Sequence, residues 1–350
     1  MRFGFTGKAK MFSAYIFGRS EASAEHLEPP GARRSAREPA WMLDLRADSL
    51  FWKRGFPEWF FGRAKTGESA PDYHWQDWFL RVLMLSVLMI CIGLTLYASQ
   101  MRIETFCWLA LSCGYVAGGI GIVLAHELGH RRPLIDRALA RALLCTIAYG
   151  HYAIEHNRGH HRTAATLIDA ASARQEESIW RFMPRYFGGV WISAVRISKH
   201  KPGWLNEALA LAAITLLLWL ALVLYVGVEA LAFAFIITVV AQMLVASIDY
   251  VEHWGLQRRL INGKLERIGP SHIWDCANRV SDALLFNLPR HAAHHLEPSI
   301  GCNDLRNISA SPQMPTGYAG MSLLSFVWPL YRRVMTPRLP RDCVQNSHSI

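Results

Sequence analysis

The sequence predicts an all-α integral membrane protein of about four transmembrane helices, and three features carry that expectation. Over 350 residues, 52% are hydrophobic and the mean hydropathy is positive, which is unusual for a soluble chain. Thr105 to Ala125 carries no charge, and Ala208 to Val228 followed by Ala230 to Ile248 is interrupted only by Glu229. Histidines gather in short groups beside the ends of these runs.

Residues 1–72 mix charges with Pro29, Pro30 and Gly31 and hold no sustained apolar run. They read as a poorly ordered or interfacial segment, neither a span nor a secretory signal. The membrane domain is placed at 73–338, with a C-terminal tail at 339–350. Its first span, Val82 to Ser99, has interfacial aromatics at Trp78, Phe79 and Tyr97. The other three runs are each long enough for a bilayer core, which takes about 20 helical residues. Two shorter apolar stretches, Ala138 to Ile154 and Met321 to Met335, contain Arg141, Pro329, Arg332 and Arg333. Such interruptions favour interfacial or re-entrant helices over full spans.

The net charge of +10 does not point to nucleic acid, because the basic residues flank apolar spans and line no aromatic-studded groove. They fill the connection between the second and third spans, from Arg131, Arg132, Arg137 and Arg141 to Lys199 and Lys201, whereas the opposite connections offer Arg102 and Glu229. By the positive-inside rule the large connection, both termini and the histidine groups face the cytoplasm. Seven cysteines, with Cys91, Cys107 and Cys113 inside spans, indicate no disulfide framework. The lack of any CxxC pair excludes a fused zinc ribbon or rubredoxin-type centre.

Of fifteen histidines, those with chemical promise fall in His126-Glu-Leu-Gly-His130, Glu155-His156-Asn-Arg-Gly-His160-His161, Glu252-His253 and His291-Ala-Ala-His294-His295. An i, i+4 spacing sets two imidazoles on one helix face, a turn apart. One isolated pair is ordinary on a solvated helix face. So many ionisable rings at one membrane depth are costly unless something coordinates them. Imidazole suits Zn, Cu, Fe and Ni, and nine such nitrogens can furnish two metals with open positions left. His126-Glu127-Leu-Gly-His130 also fits the HExxH zinc-protease signature, in which the glutamate is the base. That reading leaves the other groups unexplained. A redox-active iron pair at span ends suits attack by dioxygen on an unactivated C–H bond, since acid, base and nucleophile have no purchase on a hydrocarbon arriving from the bilayer. His151 and His272 lie off the box spacing and read as packing or hydrogen-bonding residues. His26, His74, His200 and His348 read as surface residues.

The boxes, with Asp249-Tyr-Val-Glu-His-Trp-Gly-Leu256, Asn287-Leu-Pro-Arg290 and Pro315-Thr-Gly-Tyr-Ala-Gly320, resemble the membrane alkane 1-monooxygenases of the fatty acid desaturase and hydroxylase superfamily, over about Tyr73 to Arg338. The Glu-His-Asn-Arg-Gly-His-His segment together with Tyr-Val-Glu-His is specific to these enzymes. The resemblance implies two non-haem irons, with neither haem nor flavin, held by His126, His130, His156, His160, His161, His253, His291, His294 and His295. It implies a terminal hydroxylase acting on a hydrophobic substrate with O2, in a bacterial inner membrane, supplied with electrons by rubredoxin and rubredoxin reductase. A xylene- or cymene-type methyl hydroxylase and a lipid desaturase are the alternatives. Family members usually have six spans, the first two without counterpart in residues 1–70. The third box has Ala292 and Ala293 where Ser and Asp are usual, and Ile168-Asp169-Ala170 replaces an acidic-Asp-Pro triplet. Ligating imidazoles need an acceptor at their other nitrogen, for which Glu127, Glu155, Asp169, Glu252 and Asp275 are the candidate acids.

Overall fold

The computed structural model describes residues 74–200, 206–276 and 278–340. The segment 1–72 and nearly all of the 339–350 tail lie outside the described residues, as do the side chains of His26, His74, His200 and His348.

Four helices are long and apolar enough to cross a membrane: α1 (His74–Leu96), α2 (Ile103–His130), α6 (Glu207–Tyr225) and α7 (Val228–His253). They form two hairpins, α1–α2 and α6–α7, joined by α3 (Leu134–Thr146), α4 (152–163) and α5 (Ile179–Ile197). After α7 come α8 (Arg279–Leu284), α9 (His291–Leu296), α10 (Tyr318–Ser325) and α11 (Trp328–Met335). The strands among the described residues are one small hairpin, Leu260–Ile261 with Lys264–Leu265. Its Asn262-Gly263 turn, with φ of 52° and 74°, is the Asn-Gly pairing such two-residue loops require.

The helices run past the apolar stretches that announce them. α2 continues from Ala125 to His130 and α7 from Ile248 to His253, because backbone hydrogen bonding persists where side chains turn from apolar to polar. Hydropathy reads the lipid-buried length, not the helix. Both shorter apolar stretches are broken: α3 stops at Thr146, with Ala148 at φ 53°, before α4 begins, and α10 ends at Ser325, ahead of Trp328-Pro329.

Close contact of α2 with α7 positions the site. A Cβ on Gly114 would lie 2.6 Å from Val240 Cβ, and one on Gly118 would lie 2.8 Å from Ala241 Cα. The glycines are four residues apart, so one small-residue stripe lets the two backbones nearly touch. α6 is peripheral, with 17% of its apolar window buried against 50% for α2; Leu216, Leu217, Leu220 and Leu224 present its outer surface. The amphipathic α5 buries Ile179, Phe182, Met183, Tyr186, Val190 and Ala194 at helical spacing, packing against the ends of the spans. Arg81 of α1 clamps the fully buried Asp136 of α3 at 2.6 and 3.3 Å, a charge pair that holds the connection to the first hairpin.

Candidate metal centre

His126 and His130 occupy the last turns of α2, and His253 ends α7. The second box lies in α4, which widens into a π turn over His156–His160. In an α-helix His156 would align with His160. The wider turn aligns it with His161 instead, Nε2 to Nε2 3.0 Å, and swings His160 aside. On α9 the α-helical spacing brings His291 and His295 to 3.0 Å, and His294 turns to the other group.

Two sets of imidazole nitrogens result, and within each the candidate ligand atoms lie within 4.8 Å of one another: His126, His130, His156, His161 and His294 in one, His160, His253, His291 and His295 in the other. All nine expected histidines are therefore brought together. In the first set His161 Nε2 stands 3.3 Å from His130 Nε2 and 3.2 Å from His294 Nε2. In the second, His160 Nε2 is 3.2 Å from His295 Nε2, and His253 Nε2 is 3.2 Å from His291 Nε2.

These spacings fit a shared metal and not a hydrogen-bond network. A neutral imidazole has one N–H, so His161 Nε2 cannot serve three nitrogens at once. Ligands about 2.1 Å from an ion and at right angles are about 3.0 Å apart. The buried Nε2 of His126 has no hydrogen-bond partner, which a metal would supply. Burial, reinforced by neighbouring imidazole charge, holds His156, His161, His291, His294 and His295 below the ordinary histidine value, the neutral form a metal needs. His160 differs: burial pushes it down, but the charge and hydrogen bond of Asp169 outweigh that and raise it to about 9.

The five candidate acids divide. Asp169, fully buried, meets His160 Nδ1 at 3.0 Å and receives the Ser172 hydroxyl at 2.6 Å. Glu252 puts Oε2 3.3 Å from His291 Nε2 and accepts the Tyr318 hydroxyl at 2.7 Å on Oε1. The other three touch no imidazole by hydrogen bond. Glu127 is held by Arg131 at 3.1 and 3.0 Å, and Arg131 also reaches Asp77 at 2.5 Å. The base an HExxH protease would need is thereby tied up in an ion pair. Glu155 receives Ser193 Oγ at 3.2 Å, and burial raises its pKa to about 7. Asp275 accepts Ala292 N at 2.8 Å and Ile308 N at 3.1 Å, anchoring the backbone of α9.

Sequence reasoning missed Asp249, Tyr186 and Tyr318. Asp249 lies one helical turn before His253, and that spacing was the signal for it. His151 packs edge-on against Tyr149 and Trp191, and His272 Nδ1 accepts Gly269 N at 2.9 Å, the packing and hydrogen-bonding roles expected. A small cavity reaches both histidine sets, bounded by His126, His156 and His291 and walled by Ile122, Val123, Val245, Ile248 and Leu288 beside the carboxylates of Asp249 and Glu252.

The fold and site define a polyhistidine membrane protein, and comparison agrees. Residues 105–325 match the family model described as fatty acid desaturase, and the chain belongs to that family. Within it, the chain is similar to several alkane 1-monooxygenases. One from Ectopseudomonas oleovorans is 32% identical over 87% of this chain and 80% of its own length. Another, from Pseudomonas aeruginosa, is 35% identical over 88% of this chain and 85% of its own. The hydroxylase component of a Pseudomonas putida xylene/toluene monooxygenase is more distant, 26% identical over 66% of this chain and 64% of its own.

Proposed function

We propose that this chain is an alkane 1-monooxygenase: a membrane enzyme that uses dioxygen to hydroxylate the terminal carbon of an alkane or alkyl group. The division of nine histidines into sets of five and four, with a small cavity bounded by both, carries this reading. Two irons are the assigned metals, since zinc has no redox chemistry and imidazole suits iron. When bound, they supply the oxidant that a C–H bond demands.

The chain's own residues do the rest. Ile122, Val123, Val245, Ile248 and Leu288 form the apolar side of the small cavity, the side a hydrocarbon would meet. Asp169 holds one proton of His160 on Nδ1, so that a metal binding at Nε2 displaces only the other. Glu252, fixed by Tyr318, places its second carboxylate oxygen against His291 Nε2. Because His126, His130 and His253 stand at the ends of α2 and α7, substrate enters from the bilayer. The arginine-rich connection supports a cytoplasmic orientation of that end, in a bacterial inner membrane where rubredoxin, reduced by its reductase, supplies electrons.

The test is expression with rubredoxin and rubredoxin reductase, provision of alkanes and alkylbenzenes under isotopically labelled dioxygen, and product analysis. A primary alcohol carrying one labelled atom supports the proposal; an unlabelled alkene as the main product replaces hydroxylation by desaturation. The likeness to the xylene/toluene enzyme component favours one second reading, methyl hydroxylation of an alkylbenzene, which the same panel of substrates separates.

A further inference from the structure

A file of buried rings leads away from His156. Its imidazole stacks on Tyr152 at 5.2 Å, and Tyr152 stacks on Tyr149 at 5.0 Å. Tyr149 donates its hydroxyl proton to Tyr186 Oη at 2.7 Å, and Tyr186 donates to the carboxylate of Asp249, a residue of the cavity wall. Phe182 lies between Tyr186 and Tyr250, 5.1 and 5.2 Å from their rings. Tyr250 meets Tyr331 at 5.3 Å, and Tyr331 meets Trp254 at 5.3 Å and the half-buried Trp328 at 6.5 Å.

Packing alone does not call for phenols here. Phenylalanine fills nearly the same volume, and a buried hydroxyl costs free energy unless it is bonded. Three of these hydroxyls have defined acceptors: Tyr149 and Tyr186 as above, and Tyr250, which donates to the Glu177 carbonyl at 2.8 Å. Tyrosine and tryptophan give up single electrons readily and accept none from a mild reductant. A file of them therefore serves a strong oxidant at its inner end, not delivery from a mild donor.

We propose that this file is an escape route for oxidising equivalents, used when dioxygen is activated with no hydrocarbon in the cavity. It rests on the function proposed above. Dioxygen takes two electrons from the enzyme's redox donor and two more, singly, through the rings; with four protons it leaves as two waters. At each step an electron moves inward from one tyrosine or tryptophan to the next, passing Phe182 between Tyr250 and Tyr186 without oxidising it. The phenolic proton of Tyr186 shifts along its hydrogen bond to Asp249 and returns when the ring is refilled. The last vacancy, at Trp328, is filled by a soluble thiol, two thiols ending as one disulfide and releasing two protons.

The experiment uses the full-length, metal-loaded enzyme, chemically reduced and mixed with oxygenated buffer without hydrocarbon. Freeze-quenched samples are read by electron paramagnetic resonance, and oxidised residues are mapped by peptide mass spectrometry. Wild type gives a tyrosyl or tryptophanyl radical and oxidation at Trp254 and Trp328, both abolished by a small thiol. Tyr186→Phe loses the oxidation at Trp254 and Trp328 and accumulates it at Tyr152 and His156. Tyr250→Phe, whose side chain lines no part of the cavity and whose hydroxyl donates to the Glu177 carbonyl, keeps hydrocarbon hydroxylation and also loses the Trp328 oxidation, so the test survives a misfolded Tyr186 variant. Oxidation at Trp328 equal in wild type and Tyr250→Phe overturns the route. A wild type that hydroxylates hydrocarbon yet forms no ring radical overturns the route alone; one that consumes no dioxygen with metal bound overturns the function proposal and the route with it.

Discussion

His156 and His161, five residues apart on one helix, bring their Nε2 atoms to 3.0 Å, while His160, next to His161, turns to the other histidine set and meets His295 Nε2 at 3.2 Å. A regular α-helix cannot do this, because its i, i+4 alignment would pair His156 with His160. The π turn is therefore the device that divides one short box between the two histidine sets. It closes around Gly159, where an added Cβ would lie 2.7 Å from Glu155 Oε1 and 3.0 Å from Ile197 Cδ1. Gly159→Ala is expected to displace the turn and lower metal content in both sets, read by elemental analysis of purified protein. Wild-type metal content in that variant would show that the turn tolerates a side chain and is not what divides the box.

The two sets should fail separately. His294→Ala removes a nitrogen from the set of five and His160→Ala one from the set of four. Each variant is expected to retain about one of about two metals per chain, because the untouched set keeps its own ligands. Elemental analysis together with Mössbauer spectroscopy of iron-57 samples distinguishes the remaining environments. Identical residual spectra from the two variants would contradict two separate sets.

Much of this was legible in the sequence, for reasons particular to each element. Long uncharged runs have few alternatives to membrane helices, so four spans were readable, and the i, i+4 spacing of His126 with His130 and of His291 with His295 survives in the structure. The apportioning of ligands was not readable: the π turn is invisible to a 3.6-residue periodicity, and His294 reaches the far set only because α9 lies between the two. The acids divide for another reason. Proximity in sequence made all five candidates; Asp169 and Glu252 lie against imidazoles, whereas Arg131 and Ser193 engage Glu127 and Glu155, partners set by tertiary packing.

The α2–α7 contact offers a stability test away from the metals. Gly118 leaves 2.8 Å between an added Cβ and Ala241 Cα, and the obstacle is backbone, which cannot rotate away. Gly118→Leu is expected to cost about 1–3 kcal/mol or more, the range of overpacked cores, and Gly119→Leu, with nothing within 4 Å of its added Cβ, should cost far less. Thermal unfolding in detergent ranks them. Equal melting temperatures would mean that the two helices are not held at this close approach.

Asp169→Asn tests how one histidine is made ready for metal. His160 Nδ1 and Asp169 Oδ2 lie 3.0 Å apart with both side chains buried. A carboxylate only accepts, so it fixes the ring proton on Nδ1 and leaves the Nε2 lone pair for metal. An asparagine in the same place can present its NH2 group to Nδ1, which favours the opposite tautomer and sets a proton where the metal should bind. It also removes the negative charge that strengthens the ring as a donor. Losing such a partner typically weakens metal affinity or activity 10- to 100-fold. Ser172→Ala removes a hydroxyl donor to the carboxylate, at 2.6 Å, but keeps the carboxylate itself, so its effect should be several-fold smaller. Competition of cobalt(II)-loaded protein against a chelator measures both without reference to turnover. Asp169→Asn is expected to release the weaker-bound half of the metal at lower chelator concentration while the set containing His126 stays loaded; unchanged release curves would remove Asp169 from any part in metal binding.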